Sequence, residues 1–309
     1  MTRGSETTRS IVVSLGANVA IAEAKLAAAL ITGSGSMLAE ALHSVADSGN
    51  EALLLWGRRE AKRRPTALHP LGQGRATYFW SFIVALLLFS MGGVASVYEG
   101  IRKLSAGEQV ESPWLAIGIL VFAAVAEAIS LYVALRQINR VRDSGSSLWH
   151  WFRTTRRSEL IIVFGENGAA LVGLGVALIA VLLTVWTGDP LYDAVGSIVI
   201  GILLVVVAVA IGAQTKSLLI GESAAPRVRR DIKAFLGTWP GIAAMREFIT
   251  LQHGEDVFVA AKAEIEGTPS IREVEAAIAA CEAGLKAAFP EVRWVFLEPI
   301  GETLPVEGV

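Results

Sequence analysis

The sequence predicts an all-α membrane domain with six transmembrane helices, followed by a small α+β domain. Composition is the first reason: 53% of the 309 residues are hydrophobic, 18% are charged and the mean hydropathy is +0.53. A typical soluble domain carries about 25% charged residues. The second reason is distribution, because the long apolar runs stop near residue 215 and a charged tail follows. We therefore expect a membrane domain over residues 1–215 and a cytosolic domain over residues 216–309.

Six apolar stretches are each close to the ~20 residues that a helix needs to cross ~30 Å of hydrocarbon. They cover residues 10–32, 36–57, 78–102, 113–136, 158–186 and 193–215. The loops after the second and fourth stretches are rich in Arg and Lys, whereas TGSGS, LSAGEQVESP and WTGDPLYD contain neither. The positive-inside rule then places the basic loops and both termini in the cytoplasm. We expect a multi-pass protein of the cell's inner, cytoplasmic membrane.

The tail has the pattern helix, strand, strand, helix, strand, which is typical of a two-layer α+β domain. The predicted elements cover residues 226–237, 245–252, 256–267, 270–289 and 292–298. Ser270 is positioned to cap the second of these helices. The single cysteine, Cys281, excludes an internal disulfide and a cysteine-rich zinc site. It lies on the apolar face of its helix, so we expect it in the core.

Two ionisable residues interrupt the second apolar stretch. His43 and Asp47 are four residues apart, so on a helix they lie on one face, one turn from each other. Ionisable residues are costly in lipid and usually face a cavity or an ion path. An imidazole and a carboxylate at this spacing supply half of a tetrahedral site for zinc or a similar divalent cation. The alternative is a structural pair that bonds to neighbouring helices.

A second helix has to complete such a site, and the fifth stretch carries Glu166 within an apolar run. Small residues recur every four positions along it, at Gly165, Ala169 and Gly173. This pattern lets another helix approach closely and would bring Glu166 to the face of His43 and Asp47. The alternative is that Glu166 only pairs with Lys25 of the first helix. A charged lysine cannot bind a metal, so we expect Lys25 to neutralise an acidic group.

Imidazole and carboxylate ligands bind protons in competition with metal. A site that faces each side of the membrane in turn would therefore exchange metal for protons. We expect a secondary transporter rather than an enzyme, since the sequence lacks a zinc triad such as H-E-x-x-H. No tightly bound cofactor is expected. The metal is a transported substrate, Zn²⁺ first, with Fe²⁺, Mn²⁺, Co²⁺ or Ni²⁺ as alternatives.

Several segments resemble the cation diffusion facilitators, a zinc-transporter family. They are GSGSMLAEALHSVADSGNEALL, HPLGQGRATY, GDPLYDAVGSIVIGILL and LLIGES. FGENGAALVG together with DPLYDAVGS is similar to the branch that contains the mitochondrial-type zinc exporter. The resemblance implies six transmembrane helices, a cytosolic ferredoxin-like C-terminal domain, a homodimer and antiport of divalent metal against protons. The expected partners are the metal ion, protons, the lipid bilayer and a second copy of the chain, with no nucleic acid.

The family usually takes two ligands from the second helix and two from the fifth, the latter as H/D-x-x-x-D. The resemblance assigns the second-helix ligands to His43 and Asp47. On the fifth helix it assigns Glu166, but Ile162 occupies the preceding ligand position. The groups that could fill the gap are Asn167, which ranks first, and then Asn50, water or Glu127. The predicted metal ligands are therefore His43, Asp47, Glu166 and Asn167. The incomplete fifth-helix set favours a second hypothesis, a metal-binding membrane sensor or scaffold that does not transport.

Four polar residues outside this set have more modest predicted roles. Glu40, near the outer end of the second helix, is expected to guide ions rather than bind them. His69 is expected to anchor the loop after that helix. His253 and Asp256 fall in a turn-like segment, and we expect them to be isolated, without zinc. Dimerisation would then rest on protein packing alone.

Overall fold

A computed structural model of the protein describes residues 19–106, 112–142, 145–267 and 270–300. The side chains of Ser36, His43 and Asp47 lie outside the described part, as does the predicted beginning of the first helix, residues 10–18. The described residues form two units. The first contains the residues up to Glu60 together with Thr77–Leu148 and Ser158–Lys216. The second contains Ala61–Ala76, Trp149–Arg157 and the tail from Ser217 onward.

The first unit is helical. In the described part of the chain, α1 covers residues 19–32 and α2 is Gly35–Ala61. Helix α3 consists of Ala76–Leu87, a π-helical segment Leu88–Val94, and Ala95–Ala106. It is followed by α4 (Pro113–Val141), α6 (Ser158–Thr187) and α7 (Leu191–Ile220). The short α5 (Leu148–Thr154), between α4 and α6 in the chain, belongs to the second unit except for Leu148. The bounds predicted for α3, α4, α6 and α7 lie within five residues of these ends.

Among the described residues, α3, α4, α6 and α7 are long and apolar enough to cross a membrane. The protein is therefore a mostly helical membrane protein, as the composition predicted. Helix α2 has 27 residues, which is sufficient length, but its polar and charged side chains lower its hydropathy.

Helices α3 and α7 approach each other closely where glycine removes the side chain. A methyl group at Gly93 would lie 2.6 Å from Val205 Cγ2, and one at Gly201 would lie 2.7 Å from the Gly93 carbonyl oxygen. About two turns further along α3, Gly100 lies against Ile198 in the same way. Small residues at helix interfaces allow such backbone approach in membranes. The π-helical segment includes Gly93, and insertions of this kind change which residues of a helix face a neighbour.

The second unit contains a three-stranded sheet. Helix α8 (Pro226–Gly237) is followed by β1 (Ile242–His253), β2 (Asp256–Ile265), α9 (Ile271–Ala288) and β3 (Val292–Ile300). This is the predicted order of elements. The sheet order is β1-β2-β3, with β1 antiparallel and β3 parallel to β2. In the register, His253 pairs with Asp256, and Val259 pairs with Thr250 on one side and Val295 on the other.

The core of this unit lies between the sheet and helices α8 and α9. Ile232 and Leu236 of α8 meet Leu285 and Cys281 of α9 over the inner face of the strands. Cys281 is buried, as predicted, and burial raises the pKa of its thiol to about 11. Ser270 does lie at the start of α9, where its backbone N–H and hydroxyl both donate to Glu273 Oε2 at 2.7 Å.

Candidate metal centre

Helices α2 and α6 contact each other at three levels. In order along α2, the contacts pair Glu40 with Gly173, Asn50 with Glu166, and Arg58 with Glu159. The order of the partners is reversed on α6, so the two helices are antiparallel. At a rise of 1.5 Å per residue, these contacts extend over about 27 Å of α2. The sequence analysis expected this approach from the small residues on α6.

The central contact is a buried polar pair. Asn50 Nδ2 donates a hydrogen bond of 2.7 Å to Glu166 Oε1, and Asn50 is fully buried. Among the described residues, the other amide atom, Asn50 Oδ1, has no hydrogen-bond partner. A carboxylate and an amide oxygen are both able to bind a divalent cation. The pair therefore places two oxygen donors from different helices side by side.

A second buried group lies on the same two helices and on α1. Lys25 Nζ donates a 2.7 Å hydrogen bond to Ser44 Oγ and lies 3.4 Å from Glu40 Oε2. Both members of the ion pair are fully buried. Glu40 also abuts α6, since a methyl group at Gly173 would lie 2.5 Å from its Oε1. Lys25 does neutralise an acidic group, and that group is Glu40.

These contacts correct two expectations. The sequence analysis gave Glu40 a role in guiding ions from the outer end of α2, which was wrong because its carboxylate is enclosed between α1 and α6. The alternative partner for Glu166 was also wrong, because Lys25 bonds to Glu40 and Ser44 while Glu166 bonds to Asn50. Lys25 belongs to α1 and contacts α2 through Glu40 and Ser44, in the half of α2 that is nearer its first residue.

The predicted ligands on α2 are described only by their backbone. His43 and Asp47 lie within α2, and their side chains lie outside the described part. By sequence position they fall between Glu40 and Asn50, which both contact α6. Residues 40, 43, 47 and 50 follow the three-and-four spacing that keeps positions on one helix face.

The predicted ligands on α6 are described in full. Glu166 is 8% exposed, and Asn167, the next residue, is half-buried. Ile162, one turn before Glu166, is fully buried and offers no donor atom. No group of three His, Cys, Asp or Glu side chains that could hold a metal was found among the side chains that the structure describes. The proposed grouping with His43 and Asp47 stays a prediction.

A third buried polar cluster was missed by the sequence analysis. Ser34, before α2, donates a 2.7 Å hydrogen bond to Asp193 Oδ1 of α7. Lys103 Nζ of α3 lies 3.8 Å from Asp193 Oδ2, and both side chains are buried. The signal was available for two of its members, because Lys103 and Asp193 are ionisable residues at the ends of the third and sixth apolar stretches. The cluster joins three helices at the ends opposite the basic loops.

In the second unit, His253 is enclosed rather than isolated. It ends β1, it is buried, and its ring lies edge-on to Trp294 with a centroid distance of 5.6 Å. The loop from residue 61 to 76 packs against it, because a methyl group at Gly74 would lie 2.7 Å from the His253 carbonyl oxygen. Burial first, and then the Arg75 guanidinium, lower the pKa of His253 below its usual 6.5. His253 is therefore packed into this unit, and the expectation that it holds no zinc stays a prediction.

His69, in the same loop, is exposed, and its backbone closes two turns. Its carbonyl accepts hydrogen bonds from the N–H groups of Thr66 and Gly72 at 3.1 and 2.9 Å. Its own N–H donates to Thr66 Oγ1 at 3.1 Å. These bonds fit the predicted loop-anchoring role of His69, and they are made by its backbone N–H and carbonyl groups.

Residues 11–220 match the cation efflux transmembrane domain. The chain belongs to the cation efflux family. This membership confirms the resemblance to the cation diffusion facilitators that the motifs indicated. The family consists of membrane transporters rather than enzymes.

Relatives within the family agree with this assignment. The protein is 36% identical over 224 residues to the proton-coupled zinc antiporter SLC30A9, mitochondrial, of Xenopus laevis, covering 72% of this chain and 40% of the relative. It is 31% identical over 216 residues to metal tolerance protein C4 of Arabidopsis thaliana, covering 70% and 47% of the two chains. It is 22% identical over 262 residues to the cation-efflux pump FieF of Yersinia pestis, covering 84% and 81%. The matched part spans less than half the length of the first two relatives.

Proposed function

We propose that this cation efflux protein exports a divalent metal cation, Zn²⁺ first, from the cytoplasm in exchange for protons. Its family supports divalent metal export, and relatives carry the names proton-coupled zinc antiporter and cation-efflux pump. The observation that carries the proposal is the buried Asn50–Glu166 pair between α2 and α6. Buried polar groups at such depth usually mark an ion path.

The proposed ligands are His43, Asp47 and Glu166, with an asparagine as the fourth. The sequence ranks Asn167 first for that place. The contacts favour Asn50, because its amide already touches Glu166 and, within the described residues, its Oδ1 has no hydrogen-bond partner. An imidazole with oxygen donors suits Zn²⁺ and, with less selectivity, Fe²⁺, Mn²⁺, Co²⁺ or Ni²⁺.

Proton exchange follows from these ligands. The imidazole and the carboxylates hold protons when no metal is bound and lose them when metal binds. A site on two helices can be opened to one side and then the other by a change in how those helices pack. The residues of α2 and α6 would then carry metal outward and protons inward in alternation.

We further propose six spans, with α1 and α2 as the two beyond the four long apolar helices. The tail would be a ferredoxin-like domain of a homodimer, which its α-β-β-α-β order and its parallel β2–α9–β3 crossover support. Residues 1–215 would form the transport domain and residues 216–309 the cytosolic one. The basic loops 61–76 and 149–157 belong to the same unit as the tail, which supports a cytoplasmic side for all three. The membrane would be the cell's inner, cytoplasmic membrane.

A metal-binding sensor or scaffold is the second candidate. Ile162 favours it, since a fully buried isoleucine occupies a family ligand position. Such a protein would bind metal without moving it.

Reconstituted proteoliposomes with an imposed pH gradient separate the two candidates. A transporter gives Zn²⁺ uptake that depends on the gradient and is abolished by Asp47→Ala. Measurable Zn²⁺ binding without gradient-driven uptake would select the sensor or scaffold. Uptake that is unaltered by Asp47→Ala would reject the proposed site.

A further inference from the structure

An open depression of about 580 Å³ lies in the second unit, between helix α8 and strand β1. One face of α8 supplies Pro226, Arg229, Arg230 and Lys233, at the i, i+3, i+4, i+7 spacing of a single helix face. The adjoining face of α8 is buried in the core through Ile232 and Leu236. The basic stripe is therefore held outward by the packing of the helix.

The positive charge of this depression is only partly neutralised. Arg156, which also lines it, bonds to Glu222 Oε2 at 2.5 Å and donates to the Ser223 carbonyl at 2.8 Å. Arg229 lies over the ring of Phe248, 5.7 Å from its centroid. No acidic residue is among the described residues that line the depression. Of the four basic residues in the lining, Arg156 is the one that pairs with a carboxylate among the described residues.

The residues that line the depression are suited to bind a phosphate group attached to an apolar molecule. Ser223 Oγ and Thr250 Oγ1 lie 2.6 Å apart, and both residues line the depression. Hydroxyls and guanidinium groups are the usual donors to phosphate oxygens. Ile249, also in the lining, is 58% exposed, and Phe248 lies next to it. Basic residues beside exposed apolar ones are typical of surfaces that contact membranes.

The chain ties this depression to the membrane. Arg156 lies two residues before α6, and Ser223 lies three residues after α7. Both helices are long and apolar enough to be spans. Three residues of extended chain reach at most about 10 Å, and the headgroup layer is about 5–8 Å deep on each side, so Arg156 and Ser223 lie in this layer or next to it.

We infer that this depression binds the phosphate of an anionic phospholipid in the adjoining leaflet. Arg229, Arg230, Lys233 and Arg156 would surround the phosphate, and Ile249 would contact the apolar part of the lipid. Clusters of Arg and Lys next to a membrane span are a known means of recognising acidic lipids. This binding is independent of the metal site and of the direction of transport.

The test uses the purified full-length chain in nonionic detergent, titrated with dihexanoyl phosphatidylglycerol. The variant Arg230→Gln/Lys233→Gln removes two exposed cations of the depression. The control Arg272→Gln/Lys286→Gln removes one Arg and one Lys from exposed positions on α9. Each basic residue near an anionic surface contributes about fivefold to binding, so the first variant is expected to weaken it about 25-fold. The control is expected to leave binding unchanged, and high salt is expected to weaken binding by the wild type.

Three results would overturn the inference. Equal weakening in the variant and the control would show that only overall charge matters. Equal binding of dihexanoyl phosphatidylcholine, which has no net charge, would show that the phosphate is not read as an anion. Displacement of the lipid by an equal concentration of inorganic phosphate would assign the depression to a free phosphate ion.

Discussion

At the scale of single residues, the membrane unit is defined by the polar groups that it encloses. Lys25 and Glu40 neutralise each other, and Asn50 satisfies one oxygen of Glu166. A buried polar group without a partner is unfavourable by roughly 1–3 kcal/mol, so such pairs constrain how the helices fit. Asn50 departs from this rule, because its Oδ1 has no hydrogen-bond partner within the part of the chain that the structure describes, and the same holds for Glu40 Oε1.

The first prediction concerns this asparagine. Asn50→Leu removes the amide beside Glu166 and keeps the branched shape of the side chain, and we expect Zn²⁺ affinity to fall about 10–100-fold, as for other groups that orient or complete a metal site. Isothermal titration of the detergent-purified protein measures the affinity. Asn167→Leu is the matched control on α6. A large loss of Zn²⁺ affinity with Asn167→Leu and none with Asn50→Leu would show that Asn167 is the fourth ligand.

The second prediction concerns the buried ion pair. Lys25→Met leaves the Glu40 carboxylate enclosed without its cation, and breaking such a pair is unfavourable by about 3–5 kcal/mol. The thermal unfolding midpoint should fall clearly. Lys25→Met/Glu40→Gln removes both charges and should recover most of the loss. A single variant as stable as the wild type would mean that the pair does not support the fold.

At the scale of elements, the helices approach one another most closely at glycine residues. Gly173 lets α6 approach Glu40, while Gly175 on the same helix has nothing within 4 Å of an added methyl group. We predict that Gly173→Ala destabilises the protein by about 1–3 kcal/mol, because the new methyl group overfills the contact. Gly175→Ala is the control and should be neutral or slightly stabilising. Unfolding midpoints measure both, and equal values would contradict the antiparallel α2–α6 contact.

The loop from residue 61 to 76 packs against the β1–β2 hairpin at His253. His253 has a lowered folded-state pKa, so the unfolded state binds a proton first as the pH falls. The contribution of His253 to the free energy of unfolding is therefore fully present above pH 6.5. It is lost as the pH falls from 6.5 toward the lower pKa that His253 has in the folded state. Arg75 and Arg293 oppose the charged imidazole, while Asp256 favours it.

We expect His253→Gln to reduce the fall of the unfolding midpoint below pH 6.5. His69→Gln is the control, because His69 belongs to the same loop but is exposed. Its pH dependence should match the wild type. An unchanged pH dependence in His253→Gln would show that this imidazole does not titrate with unfolding.

Sequence reasoning worked where local chemistry sets the structure. Pro226 and Gly237 bound α8 as predicted, and Ser270 lies at the start of α9. It did not predict the π-helical segment Leu88–Val94, whose conformation has no evident local signal and adjoins the contact with α7. It also misassigned Glu40 and did not predict the packing of His253, since their partners, Lys25 and Gly74, are distant in sequence.

At the scale of the whole molecule, the protein combines a helical membrane unit with a small sheet-containing unit, and it belongs to the cation efflux family. Family motifs indicated the second and fifth spans as the elements of the site, and the contacts between α2 and α6 support that pairing. The motifs could not identify the group beside Glu166, because Asn50 lies outside the family's ligand positions and is brought there by packing.

Gradient-driven Zn²⁺ uptake by proteoliposomes that contain Glu166→Gln tests the central claim most directly. The matched control is Glu23→Gln, an exposed glutamate of α1 that undergoes the same chemical change. The account predicts wild-type uptake with Glu23→Gln and a loss of about tenfold or more with Glu166→Gln, because a proposed ligand is replaced by a neutral amide. Wild-type uptake by Glu166→Gln under the same pH gradient would contradict a metal path between α2 and α6.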